Sequence, residues 1–348
     1  MQRTKLSDQV KANAGAPVKK KKQYDGSGPF ISTGSTLLDL SISGGRVRGG
    51  GIPGGILVEI FGPSGAGKTV LLCEIAGAVQ RQGGEILFRD PEARLNKQFA
   101  RIFDLDVDTI TYDTPGTVPE VFKSVREWQP ETKALVHGVF ADSLAALSTE
   151  WEMEGKDQYG MRRAKEFSEE CRKTCRTLTE KNFLMVCSNQ VRQNLDAGPY
   201  GQKYKSPGGE AIGFYSSLRL RCMGSTKIKD KKKIAGKDVT RIIGVETDIE
   251  VFKSSVWKPY RQTSIYIMFD YGVDDIRANL QFIKQYTKAT TYVVGGEKAG
   301  VSMEEAISYV EEQGLESALR EETIDLWEEI ESKFEQERKP KRREHDLS

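Results

Sequence analysis

Eight consecutive residues, Gly62-Pro63-Ser64-Gly65-Ala66-Gly67-Lys68-Thr69, fit the pattern G-x-x-x-x-G-K-[ST]. The chemistry this pattern performs is the holding of a polyphosphate. A glycine-rich turn at the start of a helix lets several backbone N–H groups point at one spot, and the helix dipole adds partial positive charge there. Lys68 would sit on the β- and γ-phosphates, and Thr69 would ligate Mg²⁺ through its hydroxyl. Val70 opens the helix on which the loop rests. The flanks agree with the motif. An apolar run, Ile56-Leu57-Val58-Glu59-Ile60-Phe61, leads in, and a helix-like stretch from Val70 to Gln82 leads out.

Such a loop needs further groups at the same sheet edge. Val139-Phe140-Ala141-Asp142 is an apolar strand ending in a carboxylate, and ligands of open α/β sheets bind at that end. Asp142 is therefore the second Mg²⁺-side group, or otherwise an ordinary helix cap. Hydrolysis also requires a residue that orients the attacking water. The strand Glu85–Arg89 runs into Asp90-Pro91-Glu92, so Glu92 is the candidate and Asp90 its competitor. Phe183–Ser188 runs into Asn189-Gln190, where an amide can hydrogen-bond a γ-phosphate. A long polar segment from Val191 to Pro207 follows, carrying Arg192, Tyr200, Lys203, Tyr204 and Lys205. Cations interleaved with aromatic rings suit single-stranded nucleic acid. A plain connector is the competing reading.

The elements that would position these groups alternate. Strand-like runs at Ile56–Phe61, Glu85–Arg89, Thr109–Tyr112, Ala134–Ala141 and Phe183–Ser188 are separated by helical patterns at Val70–Gln82, Asn96–Phe103, Val118–Trp128 and Arg162–Glu180. That texture predicts a parallel sheet covered on both faces. Three β-like runs then follow, Ser217–Met223, Ile242–Phe252 and Thr263–Phe269, read as an antiparallel extension with a Lys-rich turn at 227–233. The fold class is α/β, with a mostly parallel central sheet. Residues 1–30 read as a mobile basic arm, 31–275 as the core, and 276–348 as a small, mostly helical, acidic module ending in a basic tail.

The 348 residues carry a net charge of only +2, but unevenly placed, with the block Lys19-Lys20-Lys21-Lys22, the run at 227–233 and a basic C-terminus. Basic runs are solvated surface or contacts to a polyanion. The five cysteines are odd in number and scattered, which fits reduced thiols, and two histidines make a zinc site improbable. No run of about 18 apolar residues exists to span a membrane, and the N-terminus lacks an apolar signal segment. A cytoplasmic setting is expected.

The motifs, in order, resemble the RecA family of recombinases. The resemblance begins at Ile31-Ser32-Thr33-Gly34-Ser35, with Leu38-Asp39 and Gly44-Gly45. It continues through the phosphate loop, Asp90-x-Glu92, Asp142-Ser143-Leu144-Ala145-Ala146-Leu147, Asn189-Gln190-Val191-Arg192 and Gly208-Gly209, and ends with Phe214-Tyr215-Ser216-Ser217-Leu218-Arg219-Leu220, covering about residues 31–272. It implies a RecA-type P-loop ATPase core that assembles as a helical filament on single-stranded DNA, with ATP and Mg²⁺ held between subunits and homologous duplex DNA as the second substrate. It implies that Glu92 is the catalytic glutamate and that Gln190 couples the γ-phosphate to a DNA-binding loop at 191–208, with Gly208 at its end and the adjoining Gly209 also binding DNA. It places another DNA-binding loop near 153–160, from Met153 to Gly160. Phe99 would lie against adenine, and Lys253 would reach the neighbouring subunit's phosphates.

There are departures. Ser255 stands where a second trans lysine is expected, and nearby Lys258 is a candidate substitute. The N-terminal arm lacks the family's gripping helix. The short arm and divergent tail are more similar to phage-encoded relatives, which sets the expected cell as bacterial or phage-infected. Loader or mediator proteins are further partners the resemblance allows. The rival functions are a ring-forming motor or helicase of the same superfamily, and an assembly protein that uses ATP as structural glue.

Overall fold

The computed structural model describes residues 29–149, 161–190, 192–193, 204–205 and 211–335. A short antiparallel pair, β1 (Phe30–Ile31) with β2 (Ile52–Pro53), brackets helix α1 (Thr36–Ser43). Ser35 caps α1 by accepting from the Leu38 amide, and all eight residues of this helix are buried. Strand β3 (Leu57–Gly62) then leads through the phosphate loop into α2 (Lys68–Arg81). Next come β4 (Ile86–Arg89), α3 (Lys97–Ile102), β5 (Thr111–Asp113), α4 (Val118–Glu127), β6 (His137–Ala141), α5 (Met161–Lys181) and β7 (Phe183–Gln190). The expected strands and helices are therefore present, several with shifted ends.

Beyond β7, two dipeptides pair with each other, β8 (Arg192–Gln193) and β9 (Tyr204–Lys205), in antiparallel register Arg192↔Lys205. Residues 192–193 and 204–205 of the long polar segment are thus strand. Helix α6 (Ala211–Tyr215) precedes β10 (Leu218–Ile234) and β11 (Lys237–Ser254), followed by β12 (Gln262–Met268) and β13 (Gly272–Val273). The main sheet has nine strands in the order β13-β12-β11-β10-β3-β7-β6-β4-β5. Every pairing from β10 through β3 to β5 is parallel, and those from β10 to β13 are antiparallel. The parallel strands β3 and β6 are buried along their whole length, as strands covered on both faces must be. One apolar cluster joins α2 to one face, and a second joins α4 and α5 to the other.

The structure corrects the expected Lys-rich turn. Residues 227–233 are strand, and β10 and β11 run on as a hairpin to the pair Ile234↔Lys237. The turn is Ala235-Gly236, with φ of 48° and 79°. Positive φ at both central residues matches the right-handed twist of the arms and favours glycine at the second. Strand β12 pairs with β11 only over Gly244–Glu250, so beyond Lys229 and Ile242 the hairpin has no other strand beside it among the described residues.

The C-terminal part comprises α7 (Asp275–Thr287), α8 (Met303–Gln313) and α9 (Glu316–Ser332), plus a hairpin the sequence reading did not anticipate, β14 (Tyr292–Val294) with β15 (Glu297–Gly300). It has its own apolar cluster around Leu280, Val294, Val310 and Leu319. Leu40, Ile324 and Trp327, with Trp257 and Phe282 against them, join it to the core. The Asp275 carboxylate accepts from both the backbone amide and the hydroxyl of Thr36, at 2.7 Å each, which fastens the start of α7 to the start of α1.

Candidate functional site

The carboxyl ends of β3, β4, β6 and β7 lie at one edge of the sheet. Registers Gly62↔Gln190, Ala141↔Cys187 and Arg89↔Ala141 line up the phosphate loop, Gln190 and Asp142 along it. A Cβ on Gly62 would lie 2.4 Å from the Cys222 carbonyl oxygen on β10, and one on Gly67, where φ is +78°, would lie 2.2 Å from Ile267 Cδ1. Only glycine fits either position. The loop therefore nests against the antiparallel half while its amides open α2.

Lys68 is buried, and its ammonium group donates to the carbonyl oxygens of Gly62 at 3.1 Å and Pro63 at 2.7 Å. Burial holds its pKa below the ordinary lysine range, while the carboxylates of Asp142 and Glu92 act in the opposite sense. Thr69 Oγ1 donates to Asp142 Oδ2 at 2.6 Å, and the Ser188 hydroxyl donates to the other oxygen of the same carboxylate. Asp142 is thus part of the site and not a helix cap, and Ser188 is its positioning partner. Among the described residues no three His, Cys, Asp or Glu side chains converge on a metal position. The Thr69 hydroxyl and Asp142 carboxylate are nevertheless two hard oxygen donors side by side. That pair fits Mg²⁺, which takes one or two protein ligands and completes its shell with water and substrate phosphates.

Asp90 and Glu92, the two competing candidates, have different surroundings. Asp90 is 1% exposed, and its Oδ2 accepts from the Leu95 amide at 2.8 Å and the Tyr112 hydroxyl at 3.0 Å. It holds the turn after β4. Glu92 is half-buried, pairs with Arg94 at 2.7 Å, and lies 3.5 Å from Gln190 Nε2 through its Oε1. A carboxylate and an amide thus meet at the rim of the phosphate loop. Phe99 is half-buried on α3 and packs edge-on against Phe103 with centroids 4.8 Å apart.

Lys253 is not brought to the phosphate loop of its own chain. Its ammonium group donates to the carbonyls of Gly213 at 2.9 Å and Phe214 at 2.8 Å. Burial lowers its pKa and the nearby Arg219 cation lowers it further. Lys258 Nζ lies 5.4 Å above the Trp257 ring. Arg192, Tyr204 and Lys205 fall on the short β8–β9 pair, whereas Met153, Tyr200, Lys203, Gly208 and Gly209 lie outside the described residues.

One group was missed. Glu59 is fully buried in β3, where its carboxylate accepts from Arg219 Nε at 2.6 Å and from Asn189 Nδ2 at 3.0 Å. The Arg219 guanidinium lies 4.4 Å from the Phe61 ring centroid and 5.2 Å from that of Phe252. This bridge links the end of β7 to β10 and to the strand bearing Lys253. The signal was present, since a lone acid inside an otherwise apolar strand is rarely buried unless paired.

A strand, a phosphate loop and a helix within an open, mostly parallel sheet define a P-loop α/β protein. Residues 13–274 match the model of the RecA N-terminal domain. The chain is 31% identical over 309 residues to Protein RecA of Teredinibacter turnerae, covering 85% of each chain. It is 30% identical over 323 residues to Protein RecA of Marinobacter nauticus, covering 90% of this chain and 84% of the relative. The chain belongs to the RecA family, whose members are ATP-binding proteins of DNA recombination and repair.

Proposed function

We propose that the protein is a DNA-dependent ATPase and homologous recombinase. It polymerises with ATP and Mg²⁺ as a helical filament on single-stranded DNA, pairs that strand with homologous duplex DNA and exchanges strands. The observation that carries this reading is the 3.5 Å approach of Gln190 to Glu92, at the point where β7 runs into the 191–208 segment.

Phosphoryl transfer of this kind is positioning and electrostatics, with no covalent protein intermediate. The α2 amides and Lys68 hold the phosphate oxygens. Thr69 and Asp142 would hold Mg²⁺, which when bound neutralises charge on the β- and γ-phosphate oxygens. The Glu92 carboxylate orients the attacking water. The Gln190 amide hydrogen-bonds the γ-phosphate and exchanges that bond when the phosphate leaves, which changes the footing of the segment that grips DNA. Lys253 acts on the adjoining subunit's nucleotide. Its separation from its own phosphate loop supports that role and ties turnover to assembly, because a trans cation stabilises transition-state charge only in a docked pair. Residues 31–275 form the ATPase and filament unit and 276–348 an accessory module, acting in the cytoplasm of a bacterial or phage-infected cell.

Two measurements test the reading. ATP turnover should rise on adding single-stranded DNA, and electron microscopy with a non-hydrolysable ATP analogue should show helical filaments. Closed rings, or turnover indifferent to DNA, would overturn it.

A further inference from the structure

The turn after β4 carries a cation that the chemistry above does not use, Arg94. The Asp90 carbonyl accepts from the Ala93 amide at 3.0 Å, and the Asp90 carboxylate accepts from the Leu95 amide at 2.8 Å. Both limbs of the turn are therefore tied to one buried residue. Between them Ala93 takes a φ of 51°. A residue with a Cβ adopts that left-handed conformation rarely, and keeps it only where the surrounding structure holds it. Across this bend Arg94 Nη1 and Glu92 Oε2 form an ion pair at 2.7 Å. The partners are unequal, with the Glu92 side chain 15% exposed and that of Arg94 65% exposed. The other carboxylate oxygen, Oε1, is the one that Gln190 Nε2 approaches at 3.5 Å. The two oxygens of Glu92 thus have different neighbours, a guanidinium on one and an amide on the other. The same carboxylate acts on the Lys68 ammonium group, so it stands within electrostatic reach of the phosphate-holding cation.

We infer that Arg94 is a positioning residue for ATP hydrolysis: it fixes Glu92 through Oε2 and leaves Oε1 to the attacking water once Gln190 turns to the γ-phosphate. This role rests on the proposed function, in which Glu92 orients that water and Gln190 hydrogen-bonds the γ-phosphate. A group that orients water has to be held itself, and reacting constellations commonly use a third group for that purpose. One carboxylate oxygen is enough for the water, so a cation on the other costs the reaction nothing. Glu92 also has to work beside a triphosphate, and two anions at close range repel. A guanidinium on the oxygen away from Gln190 offsets that repulsion, and its charge does not titrate at any working pH. An exposed ion pair between near neighbours adds little to stability. Its consequence here falls on the placement of a mostly buried reacting group, and therefore on turnover.

The test measures steady-state and single-turnover ATP hydrolysis of the full chain on single-stranded DNA. It compares the wild type with Arg94→Ala, Arg94→Lys, Glu92→Gln and the double variant Glu92→Gln with Arg94→Ala. Arg94→Ala should lower kcat by about 10-fold through misplacement of Glu92, with KM for ATP and the urea midpoint unchanged. Arg94→Lys keeps the charge but loses the planar fork, and should recover part of the loss. In the Glu92→Gln background, Arg94→Ala should have no further effect, because the carboxylate it serves is gone. A merely structural role would lower both backgrounds alike, so a loss that repeats in full in Glu92→Gln overturns the inference. An unchanged kcat in Arg94→Ala overturns it too. Turnover that rises in Arg94→Ala also overturns it and makes the pair a restraint on Glu92. A raised KM with kcat intact overturns it in favour of direct contact between Arg94 and the nucleotide. If Glu92→Gln alone turns over at the wild-type rate, the assignment of Glu92 fails and the inference falls with it. If Glu92→Gln is impaired, the Arg94 variants judge the inference alone.

Discussion

The two ends of β10 treat charge in opposite ways. At its start, Arg219 is held against the buried Glu59 and against two aromatic rings that pack on each other. At its far end, the lysines stand in solvent with the half-buried Asp230 and the exposed Asp238 beside them. The first arrangement suits chemistry, which needs a few groups fixed to fractions of an ångström before substrate arrives. The second suits a long polyanion, which needs summed field and tolerates approximate placement. Substitutions in the fixed region should therefore act all at once. Those in the exposed region should act by increments and through salt.

The largest effect should come from Lys68→Ala, which removes the only buried ammonium group of the phosphate loop. Nucleotide-dependent assembly should be lost and turnover should fall by at least about 100-fold. Assembly and turnover at wild-type levels would break the comparison at its root. Glu92→Gln should follow, with turnover down about 100-fold or more and ATP and DNA affinity nearly unchanged, since only the water-orienting charge is removed. Single-turnover kinetics beside binding isotherms separates the two quantities. If Glu92→Gln turns over normally, the water is oriented by another group.

Stability contrasts the regions more finely. Glu59→Ala should cost about 3 kcal/mol in urea denaturation, because it strands the Arg219 cation and the Asn189 amide. Lys229→Ala on the β10–β11 hairpin should change stability by under about 0.5 kcal/mol. Equal costs would mean that the bridge is not a structural element. A further test lies in the pH dependence. Burial pushes the Glu74 carboxyl up to about 7, and its Oε1 accepts from the Val273 amide at 3.0 Å. A folded pKa above the unfolded value means the fold binds the proton more tightly. That contribution is complete below about pH 4.5 and is lost as pH rises through about 7. Asp39, also raised to about 7 by burial, has the same sign. Stability should decline over that window, and Glu74→Gln should flatten part of the decline. An unaltered pH profile would refute the assignment.

The parallel half was legible because its strands are continuous apolar runs and its phosphate loop has a fixed spacing. Asp142 and Glu92 could be placed because each follows such a run. Helix α1 was not seen, since all its residues are buried and no polar face marks a period. The tip of the β10–β11 hairpin was misread for a related reason. A strand exposed on both faces has no apolar alternation, and lysines at 227, 229, 231, 232 and 233 look like a turn. The better cue was Gly236, which can take the positive φ that a tight hairpin needs. The β14–β15 hairpin is short, and its Gly295-Gly296 turn sits inside an otherwise helical texture. Glu59 went unread because a strand pattern registers a single acid as noise. Only the tertiary position of Arg219, distant in sequence, gives it meaning.

Three neighbouring positions on β7 answer to three different acids: Ser188 to Asp142, Asn189 to Glu59 and Gln190 to Glu92. The next residue along the chain already belongs to the 191–208 stretch. A spacer of even a few loose residues would let thermal motion blur a small displacement at the nucleotide before it reached the segment that the proposed function assigns to DNA. A rigid rod with three fixed stops passes the displacement on undiminished, and lengthening it by a single residue would misalign all three stops together.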